Sequence, residues 1–444
     1  MTLPCGFLEY ISNRPILAPL ASSLLTAPEV SVRINPLKSI NPDLSGYDLV
    51  PWCDTGVYLP ERPKFTFDPK LHQGVYYVQD AASMAISAIV QEIAKVPVKY
   101  LDACASPGGK TTAALSALPK ESVVVANEFD YRRAEILAEN IAKWGYCGVI
   151  VSRGDTSRFK KLKGYFDIVA VDAPCSGEGM MRKEQAAIDQ WCESLVRQCA
   201  QTQREILANA WEALRPGGYL IYSTCTFNTC ENEDNLRWLI EEMDAESVDI
   251  VSLSANKDIV EGIDCEYHCY RFLPGRTRGE GLFIAVVKKP GDSFSVSAHS
   301  KTTKAPQLPK EAYSWVKSGY TLVSEDNEVY AVPTQSLQFF NDVASKLDTL
   351  IKGVHMASIK GRDLLPSHEL ALSEALNQSA FTKCDIDKEQ ALAYLRRENV
   401  SLPMAMPKGF ILLTYDNLPL GFVKNLGNRC NNLLPKNWRI RSYE

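Results

Sequence analysis

Apolar and polar positions alternate in a regular way between Lys99 and Lys289. Short runs of β-branched and other apolar residues are separated by segments in which apolar residues recur at helical spacing. This alternation predicts a doubly wound α/β core, in which helices cover both faces of a mostly parallel sheet. Six strands are predicted, at Val98–Cys104, Val123–Asn127, Val149–Arg153, Phe166–Ala173, Gly218–Cys225 and Gly281–Val287.

Two of the segments between strands carry helix patterns. After the second strand, apolar residues recur from Ala134 to Trp144, and Gly145 follows as a stop signal. After the fourth strand the pattern recurs from Leu207 to Leu214, and the turn Pro216-Gly217-Gly218 is expected to end that helix.

The regions outside this core predict smaller modules. Residues 1–70, which contain several prolines, are assigned to an N-terminal module, and residues 71–290 to the core. Residues 291–309 are rich in Ser, Thr, Lys and Pro, which is typical of a linker. Two C-terminal modules are expected, 310–388 and 389–444; the second has a predicted helix at Glu389–Arg397 and a strand beginning at Gly409 and ending at Tyr415.

Composition and charge narrow the class of protein. The 444 residues are 45% hydrophobic with a formal net charge of −5, which is typical of compact globular domains. The 13 cysteines are odd in number and lack zinc-ribbon spacing, so we expect reduced thiols and no metal site. Since no apolar run is long enough to span a membrane, a cytoplasmic protein without a membrane partner is expected. Between Lys408 and Glu444, six basic residues stand against two acidic ones, which allows a basic surface.

A glycine-rich segment from Leu101 to Thr111 joins the first predicted strand to a helix. Backbone N–H groups at such a junction, and glycines that lack a Cβ, let a ligand approach closely. The segment ends as a Walker A loop does, in Gly109-Lys110-Thr111, but Cys104 stands where that motif requires its first glycine. A dinucleotide-binding GxGxxG is also absent from it. The pattern therefore disfavours an enzyme that uses ATP or NAD.

Three acidic residues lie at the ends of successive predicted strands: Glu128 at the second, Asp155 at the third and Asp172 at the fourth. The carboxyl ends of parallel strands line one crevice, where an acid can accept hydrogen bonds from ribose hydroxyls. Each acid alone could equally cap a helix or lie in a solvated turn. Together they favour a cationic or adenosine-like cofactor, and S-adenosylmethionine fits both descriptions.

Two cysteines, Cys175 and Cys225, follow the fourth and fifth strands. If these strands are neighbours, both sulfurs lie at one rim beside the cofactor. Carbon 5 of a pyrimidine becomes nucleophilic enough to accept a methyl group after a thiolate attacks carbon 6, and a second group must then remove the carbon 5 proton. Two cysteines can divide these tasks, although either one alone could be a buried structural residue. The residues by themselves leave open which cysteine is the nucleophile.

Four motifs resemble successive signature motifs of the RNA cytosine-5 methyltransferases of the NOL1/NOP2/Sun family. They are Tyr77–Met84, Cys104–Lys110, Asp172–Gly177 and Ser223–Phe227, and the stretch from Arg271 to Phe283 resembles the closing motif of the family. The C-terminal stretch Gly421–Ile440 is similar to the ending of the bacterial branch named ribosomal RNA small subunit methyltransferase F, which carries a PUA-like module. The resemblance implies a Rossmann-like methyltransferase core with small N-terminal and C-terminal α+β modules of RNA-binding type.

The resemblance also implies roles for individual residues. Cys225 would be the nucleophile and Cys175 would assist release, although DNA cytosine-5 methyltransferases use a cysteine directly after proline, which is the setting of Cys175, so the reverse order stays open. Asp172 and Lys110 are expected to hold the flipped cytosine. The residues implied to contact S-adenosylmethionine are Cys104, Ala105, Ser106, Pro107, Gly108, Gly109, Lys110, Glu128, Asp155 and Asp172.

The predicted function is S-adenosylmethionine-dependent methylation of carbon 5 of cytosine in 16S ribosomal RNA, through a covalent intermediate between cysteine and carbon 6. The expected partner is 16S RNA or the 30S subunit, held by backbone contacts and by stacking on Trp438, with no obligate protein partner. Two alternatives stay open: a tRNA cytosine-5 methyltransferase, and a non-catalytic RNA-binding assembly factor.

Overall fold

In the residues that the structure describes, the chain forms a ten-stranded sheet and three four-stranded sheets. The computed structural model describes residues 2–39, 43–292, 308–361 and 363–443. Residues 293–307 of the predicted linker lie outside the described residues. Within the described ranges, none of the helices combines the length and the apolar character that crossing a membrane requires.

The N-terminal part forms a small antiparallel sheet in the order β2-β3-β1-β4. Its elements are α1 (Cys5–Ser12), α2 (Leu20–Ser23), β1 (Val30–Ile34), β2 (Asp48–Val50), β3 (Cys53–Leu59), α3 (Pro69–His72) and β4 (Tyr76–Val78). Arg33 on β1 is fully buried and donates hydrogen bonds to Gln79 Oε1 at 2.8 Å and to Thr112 Oγ1 at 2.6 Å. Since Thr112 lies in the core, this buried arginine fastens the small sheet to the core.

The core is the predicted doubly wound α/β unit, which confirms the fold class. Its elements are α4 (Ala85–Ile93), β5 (Lys99–Asp102), α5 (Gly109–Ala117), β6 (Val123–Glu128), α6 (Tyr131–Trp144), β7 (Val149–Arg153), β8 (Phe166–Asp172), α7 (Gln185–Gln190), α8 (Glu193–Ala213), β9 (Leu214–Thr224), α9 (Glu233–Met243), β10 (Glu246–Ser247), α10 (Val251–Ser254), β11 (Val260–Glu261), β12 (Cys269–Phe272) and β13 (Leu282–Lys288). The strands lie in the order β11-β12-β13-β9-β8-β5-β6-β7, parallel from β9 to β7 and antiparallel beyond β9. All six predicted strands are present.

Local sequence explains the elements that flank the site. Every residue of β6 is buried, as expected of a strand covered on both faces. The Asp130 carboxylate accepts the backbone N–H groups of Arg132 and Arg133, both at 2.9 Å, and so caps the start of α6. The helix ends at Gly145, whose φ of 88° is costly for residues with a side chain. The predicted helix between the second and third strands is therefore confirmed.

One predicted boundary is wrong. The fifth strand begins at Leu214 and not at Gly218, so Pro216, Gly217 and Gly218 lie within β9, while α8 ends at Ala213, before this turn, as predicted. The backbone of the turn is satisfied by the chain that follows β13: Gly217 donates to the Lys289 carbonyl at 2.8 Å, and Lys289 donates to the Gly218 carbonyl at 2.9 Å. Gly217 keeps a left-handed φ of 71°, and the pairing of β8 with β9 shifts register at this point, so the turn is an irregularity inside the strand.

The C-terminal part adds two further sheets, in the orders β14-β15-β17-β18 and β19-β20-β21-β22. Its elements are α11 (Lys310–Ser314), β14 (Tyr320–Glu325), β15 (Glu328–Pro333), α12 (Leu337–Ala344), β16 (Asp348–Lys352), β17 (Val354–Lys360), β18 (Asp363–Pro366), α13 (His368–Leu372), β19 (Thr382–Asp385), α14 (Lys388–Leu395), β20 (Gly409–Tyr415), β21 (Leu418–Asn425) and β22 (Cys430–Asn432). Strand β16 pairs antiparallel with β7 and so extends the core sheet. The predicted domain bounds at 70, 290, 309 and 388 stay predictions.

Side chains from three parts of the chain meet beside the last sheet. The Gln73 amide donates to the carbonyls of Tyr415 at 3.0 Å and Leu418 at 2.7 Å. The Trp438 ring meets His368 edge-on, with ring centroids 5.1 Å apart, and the Lys143 amine lies 5.4 Å from its centroid. Because the ring already packs within the protein, these contacts weaken the prediction that Trp438 stacks on RNA.

Candidate active site

The glycine-rich loop lies between β5 and α5, where the sequence predicts it. Gly108 precedes α5 with φ of 107°, and a Cβ added there would lie 3.2 Å from Leu137 Cδ1. Ser106 is fastened to α6 in both directions: its hydroxyl donates to the Arg133 carbonyl at 2.9 Å, and the Arg133 guanidinium donates to the Ser106 carbonyl at 3.0 Å. The loop is therefore held in place by its own helix and by α6.

A cleft of about 890 Å³ opens at the carboxyl ends of the parallel strands. It brings together seven of the residues predicted from sequence: Cys104, Ser106, Glu128, Asp155, Asp172, Cys175 and Cys225. A smaller cavity of about 170 Å³ adjoins it and is lined by Ala105, Pro107, Gly109 and Lys110, together with Asp172, Cys104 and Ser106, which face both spaces. Asp172 thus stands on the boundary between a large cleft and a small one.

Two acids on the wall of the cleft are positioned by the backbone that follows them. Glu128 is 5% exposed, and its Oε1 accepts the N–H of Asp130 at 3.0 Å. Asp155 caps the short helix after β7 by accepting the N–H of Ser157 at 2.9 Å. Hydrogen bonding from Ser157 lowers the pKa of Asp155, so that this carboxylate is ionised at neutral pH. The cleft wall therefore offers oriented acceptors to a cation or a hydroxyl group.

Lys110 and Asp172 form an ion pair between the two cavities. Lys110 Nζ lies 2.9 Å from Asp172 Oδ2, and the Ser223 hydroxyl donates to Asp172 Oδ1 at 2.9 Å. Burial lowers the pKa of Lys110, but the neighbouring Asp172 carboxylate outweighs that effect and raises it overall. The lysine is therefore charged at the boundary between the two cavities.

The two predicted cysteines meet beside this ion pair. Strands β8 and β9 are adjacent and parallel, with Asp172 opposite Ser223, so the loops after them lie side by side. The sulfurs of Cys175 and Cys225 are 3.3 Å apart. The hydrogen bond to Cys225 and burial raise the pKa of Cys175 well above the usual value for a thiol. Lys110 interacts electrostatically with Cys225, which places a positive charge near that sulfur.

A buried acid below the loop has spare hydrogen-bonding capacity. Asp102, the last residue of β5, accepts the Thr111 hydroxyl at 2.6 Å through Oδ2, while Oδ1 has no hydrogen-bond partner among the described residues. Burial raises the pKa of Asp102 to about 7. An acceptor left without a partner beside a ligand-binding loop is suited to a donor supplied by the ligand.

The cleft also contains residues that the sequence reasoning missed. Phe129 is 68% exposed and Asp130 follows it, next to the predicted Glu128. Thr202, Glu205, Ile206 and Asn209 form the wall contributed by α8, and their spacing of three to four residues is the signal that could have identified one helix face. In the smaller cavity, Asp80 accepts the N–H of Glu280 at 2.8 Å, and burial raises its pKa to about 6, with a further contribution from Glu280.

These residues fit S-adenosylmethionine. The volume of the cleft lies in the range of small-molecule sites, roughly 300 to 1,000 Å³. Its carboxylates suit ribose hydroxyls and a positively charged sulfonium, and the exposed Phe129 ring and Ile206 suit a flat heterocycle. Cys175 and Cys225 line the same cleft, so a methyl donor bound there would lie beside the two sulfurs.

Comparisons with known proteins agree with this geometry. Three family models match: N-terminal domain of 16S rRNA methyltransferase RsmF over residues 11–81, 16S rRNA methyltransferase RsmB/F over residues 94–288, and Methyltransferase RsmF PUA domain over residues 381–440. Ribosomal RNA small subunit methyltransferase F of Klebsiella pneumoniae is 30% identical over 439 residues, 91% of this chain and 89% of the relative. The protein of the same name from Pectobacterium atrosepticum is 29% identical over 440 residues, 91% of this chain and 88% of the relative.

Solved structures share the fold. NSun6 from Pyrococcus horikoshii with SFG superposes with a TM-score of 0.55 at 20% identity, covering 66% of this chain and 99% of that one. A methyltransferase homolog protein from Pyrococcus horikoshii gives a TM-score of 0.53 at 24% identity, covering 65% of this chain and all of that one.

The fold and the cleft define a Rossmann-like, S-adenosylmethionine-dependent methyltransferase. Within that class, the chain belongs to the family of ribosomal RNA small subunit methyltransferase F. The predicted family, fold class and cofactor are thereby confirmed, and so is a PUA-like module at the C-terminus. The roles of individual residues stay predictions.

Proposed function

We propose that this chain methylates carbon 5 of cytosine in 16S ribosomal RNA of the small subunit, with S-adenosylmethionine as methyl donor. The observation that carries the proposal is the pair of sulfurs 3.3 Å apart at the rim of the cofactor cleft, beside the ion pair of Lys110 and Asp172. Methylation of an exocyclic amine needs no thiol, whereas carbon 5 chemistry needs both a nucleophile and a base. The names of the relatives support the choice of ribosomal RNA.

When bound, S-adenosylmethionine supplies an electrophilic methyl group on a sulfonium. Glu128 and Asp155 would hold its ribose and amino groups, and the loop from Cys104 to Lys110 would cover it with backbone N–H groups. Closure of this site by the RNA would exclude water from the methyl group.

The cysteines divide the covalent chemistry. The Cys225 thiolate forms a bond to carbon 6, and the electrons of the double bond between carbons 5 and 6 shift towards carbon 5, which becomes nucleophilic and accepts the methyl group. Cys175, whose raised pKa makes it a strong base once its own proton has passed to solvent, then takes the proton from carbon 5 as a thiolate. The electron pair of that C–H bond restores the double bond, and Cys225 leaves carbon 6 as a thiolate.

The ion pair prepares the pocket for the base. A cytosine flipped out of the RNA would meet the Lys110 ammonium and the Asp172 carboxylate, which offer a donor and an acceptor to its polar edge. The same ammonium stabilises the Cys225 thiolate before attack. Removing the lysine should therefore slow attack more than it weakens cofactor binding.

The proposed substrate is 16S RNA or the 30S subunit, which would place the chain in the cytoplasm. The PUA-like module would contact the RNA backbone, and we propose no obligate protein partner. The test is incubation with labelled S-adenosylmethionine and, separately, 30S subunits, free 16S RNA and bulk tRNA, followed by nucleoside analysis. Label in 5-methylcytidine of 16S RNA supports the proposal. Label only in tRNA would show that tRNA is the substrate instead, and label in neither RNA overturns the proposed activity.

A further inference from the structure

Two buried carboxylates join the loops that carry the cysteines. Glu178 belongs to the loop of Cys175, and Glu231 belongs to the loop of Cys225. Both residues are 0% exposed, which is rare for glutamate unless it has a specific partner. Neither forms a salt bridge with any residue that the structure describes, so hydrogen-bond donors take the place of a counter-charge.

Each carboxylate reaches across to the other loop. Glu178 Oε2 accepts the backbone N–H groups of Phe227 at 2.6 Å and Asn228 at 2.9 Å, two and three residues after Cys225. Glu231 Oε2 accepts the backbone N–H of Ser176 at 2.9 Å, directly after Cys175. The contacts are therefore reciprocal: each cysteine loop is held by an acid from the loop of the other cysteine.

Further donors complete the arrangement. The Asn228 amide donates to Glu178 Oε1 at 3.0 Å and to Glu231 Oε1 at 2.7 Å, so one side chain connects both acids. The Gln203 amide donates to Glu231 Oε2 at 2.7 Å and to the Pro174 carbonyl at 3.0 Å, on the other side of Cys175. Trp191 Nε1 donates to Glu178 Oε1 at 3.1 Å. Backbone on both sides of Cys175 is thus tied to Glu231.

We propose that Glu178 and Glu231 form a clasp that sets the position of Cys175 relative to Cys225, and that they act as positioning residues for methyl transfer. The inference rests on the proposed function, because a fixed distance between the sulfurs matters only if both act on one base. Neither acid lines the cofactor cleft or the smaller cavity, so each must act through the loops and not through contact with a ligand.

The clasp makes a kinetic prediction. Replacing either acid by glutamine keeps the shape, but both carboxylate oxygens accept N–H donors, so the NH₂ group faces donors on one side and hydrogen bonds within the clasp are lost. Since misplacement of reacting groups by about 1 Å can cost about 100-fold in rate, we expect Glu178→Gln and Glu231→Gln to slow the reaction by about that factor. Cofactor affinity should not change.

The experiment uses the full chain and 16S RNA that contains 5-fluorocytidine. Fluorine replaces the carbon 5 proton, so Cys175 cannot complete release and a covalent adduct accumulates. The adduct rate is measured on denaturing gels, with cofactor affinity from calorimetry and folding from thermal melts. Because both acids hold the same two loops together, their effects are not additive, and the double variant should be about as slow as the slower single variant.

Asn35→Ala is the matched control. Asn35 is also 0% exposed and donates to the carbonyls of Gly74 and Trp144, both at 2.9 Å, at the C-terminal end of α6, a helix about 20 Å long whose other end adjoins the cleft. It should lower stability without slowing the adduct. The inference is overturned if the glutamine variants keep the wild-type rate, if they lose cofactor affinity in parallel with rate, or if Asn35→Ala slows the adduct equally. No adduct with the wild type would instead overturn the proposed function.

Discussion

Gly179→Ala is the substitution whose effect on the nucleophile can be worked out most directly. Gly179 follows Glu178, and its N–H donates to the carbonyl of Cys225 at 2.8 Å. A Cβ at this position would lie 2.7 Å from the Cys225 carbonyl oxygen and 3.3 Å from that of Glu280. Both atoms belong to the backbone, so no side chain can rotate away to relieve the contact.

The size of the effect follows from that distance. A carbon–oxygen contact relaxes to about 3.3 Å, which requires the Cys225 backbone to move by about 0.6 Å. Overpacking of this kind costs about 1 to 3 kcal/mol of stability, which a domain with a typical 5 to 15 kcal/mol tolerates. A displacement of about 0.6 Å at the nucleophile should lower the rate by about 10-fold to 100-fold.

The assay is the single-turnover rate of methyl transfer at saturating RNA and cofactor, with a thermal melt of the same sample. Gly46→Ala is the control, since a Cβ there has nothing within 4 Å. It should behave as the wild type. If Gly179→Ala keeps the wild-type rate while remaining folded, the reasoning that the Cys225 backbone position controls the reaction is refuted.

Three further substitutions have expected outcomes of different kinds. Arg271 and Glu233 form an ion pair in which both side chains are 1% exposed, so Arg271→Met leaves the Glu233 carboxylate buried without its partner. This substitution should lower the free energy of unfolding by about 3 to 5 kcal/mol in denaturant titrations, and an unchanged midpoint of unfolding would contradict this. Asp102 has a pKa of about 7 in the folded chain, above its value in the unfolded chain, so between pH of about 4 and about 7 it takes up a proton on folding and stability falls as pH rises through that range. In Asp102→Asn, stability should decrease less over this pH range, by up to about 4 kcal/mol, because asparagine does not titrate. If the stability of the variant depends on pH as that of the wild type does, Asp102 does not have this raised pKa. Glu128→Ala removes a hydrogen-bond acceptor for ribose and should weaken the binding of S-adenosylmethionine about 10-fold in calorimetry, with no change in RNA affinity. If the variant binds the cofactor as tightly as the wild type, Glu128 does not contact it.

Local patterns in the sequence were sufficient to predict the part of the fold that positions the site. Buried parallel strands appear as apolar runs, and the residues directly after them necessarily meet at one edge of the sheet. For this reason Glu128, Asp155, Asp172, Cys175 and Cys225 could be assigned to one cleft before the strand order was known, and the structure places them there.

Features that depend on distant pairing could not be predicted in this way. Nothing in the sequence of Asp348–Lys352 indicates that it joins the core sheet beside β7, since strand pairing leaves no local signal. Glu178 and Glu231 look like ordinary charged residues, because the sequence does not reveal that both are buried. The start of β9 was misplaced because Gly217 and Gly218 pair with Lys289, far along the chain.

In the proposed mechanism Cys225 attacks the base and Cys175 releases it. The most direct measurement is covalent trapping on unmodified 16S RNA with S-adenosylmethionine, comparing Cys175→Ala with Cys225→Ala on a denaturing gel. We expect Cys175→Ala to accumulate a protein–RNA adduct that survives denaturation, while Cys225→Ala forms none and makes no 5-methylcytidine. An adduct with Cys225→Ala and none with Cys175→Ala would contradict it and reverse the two roles.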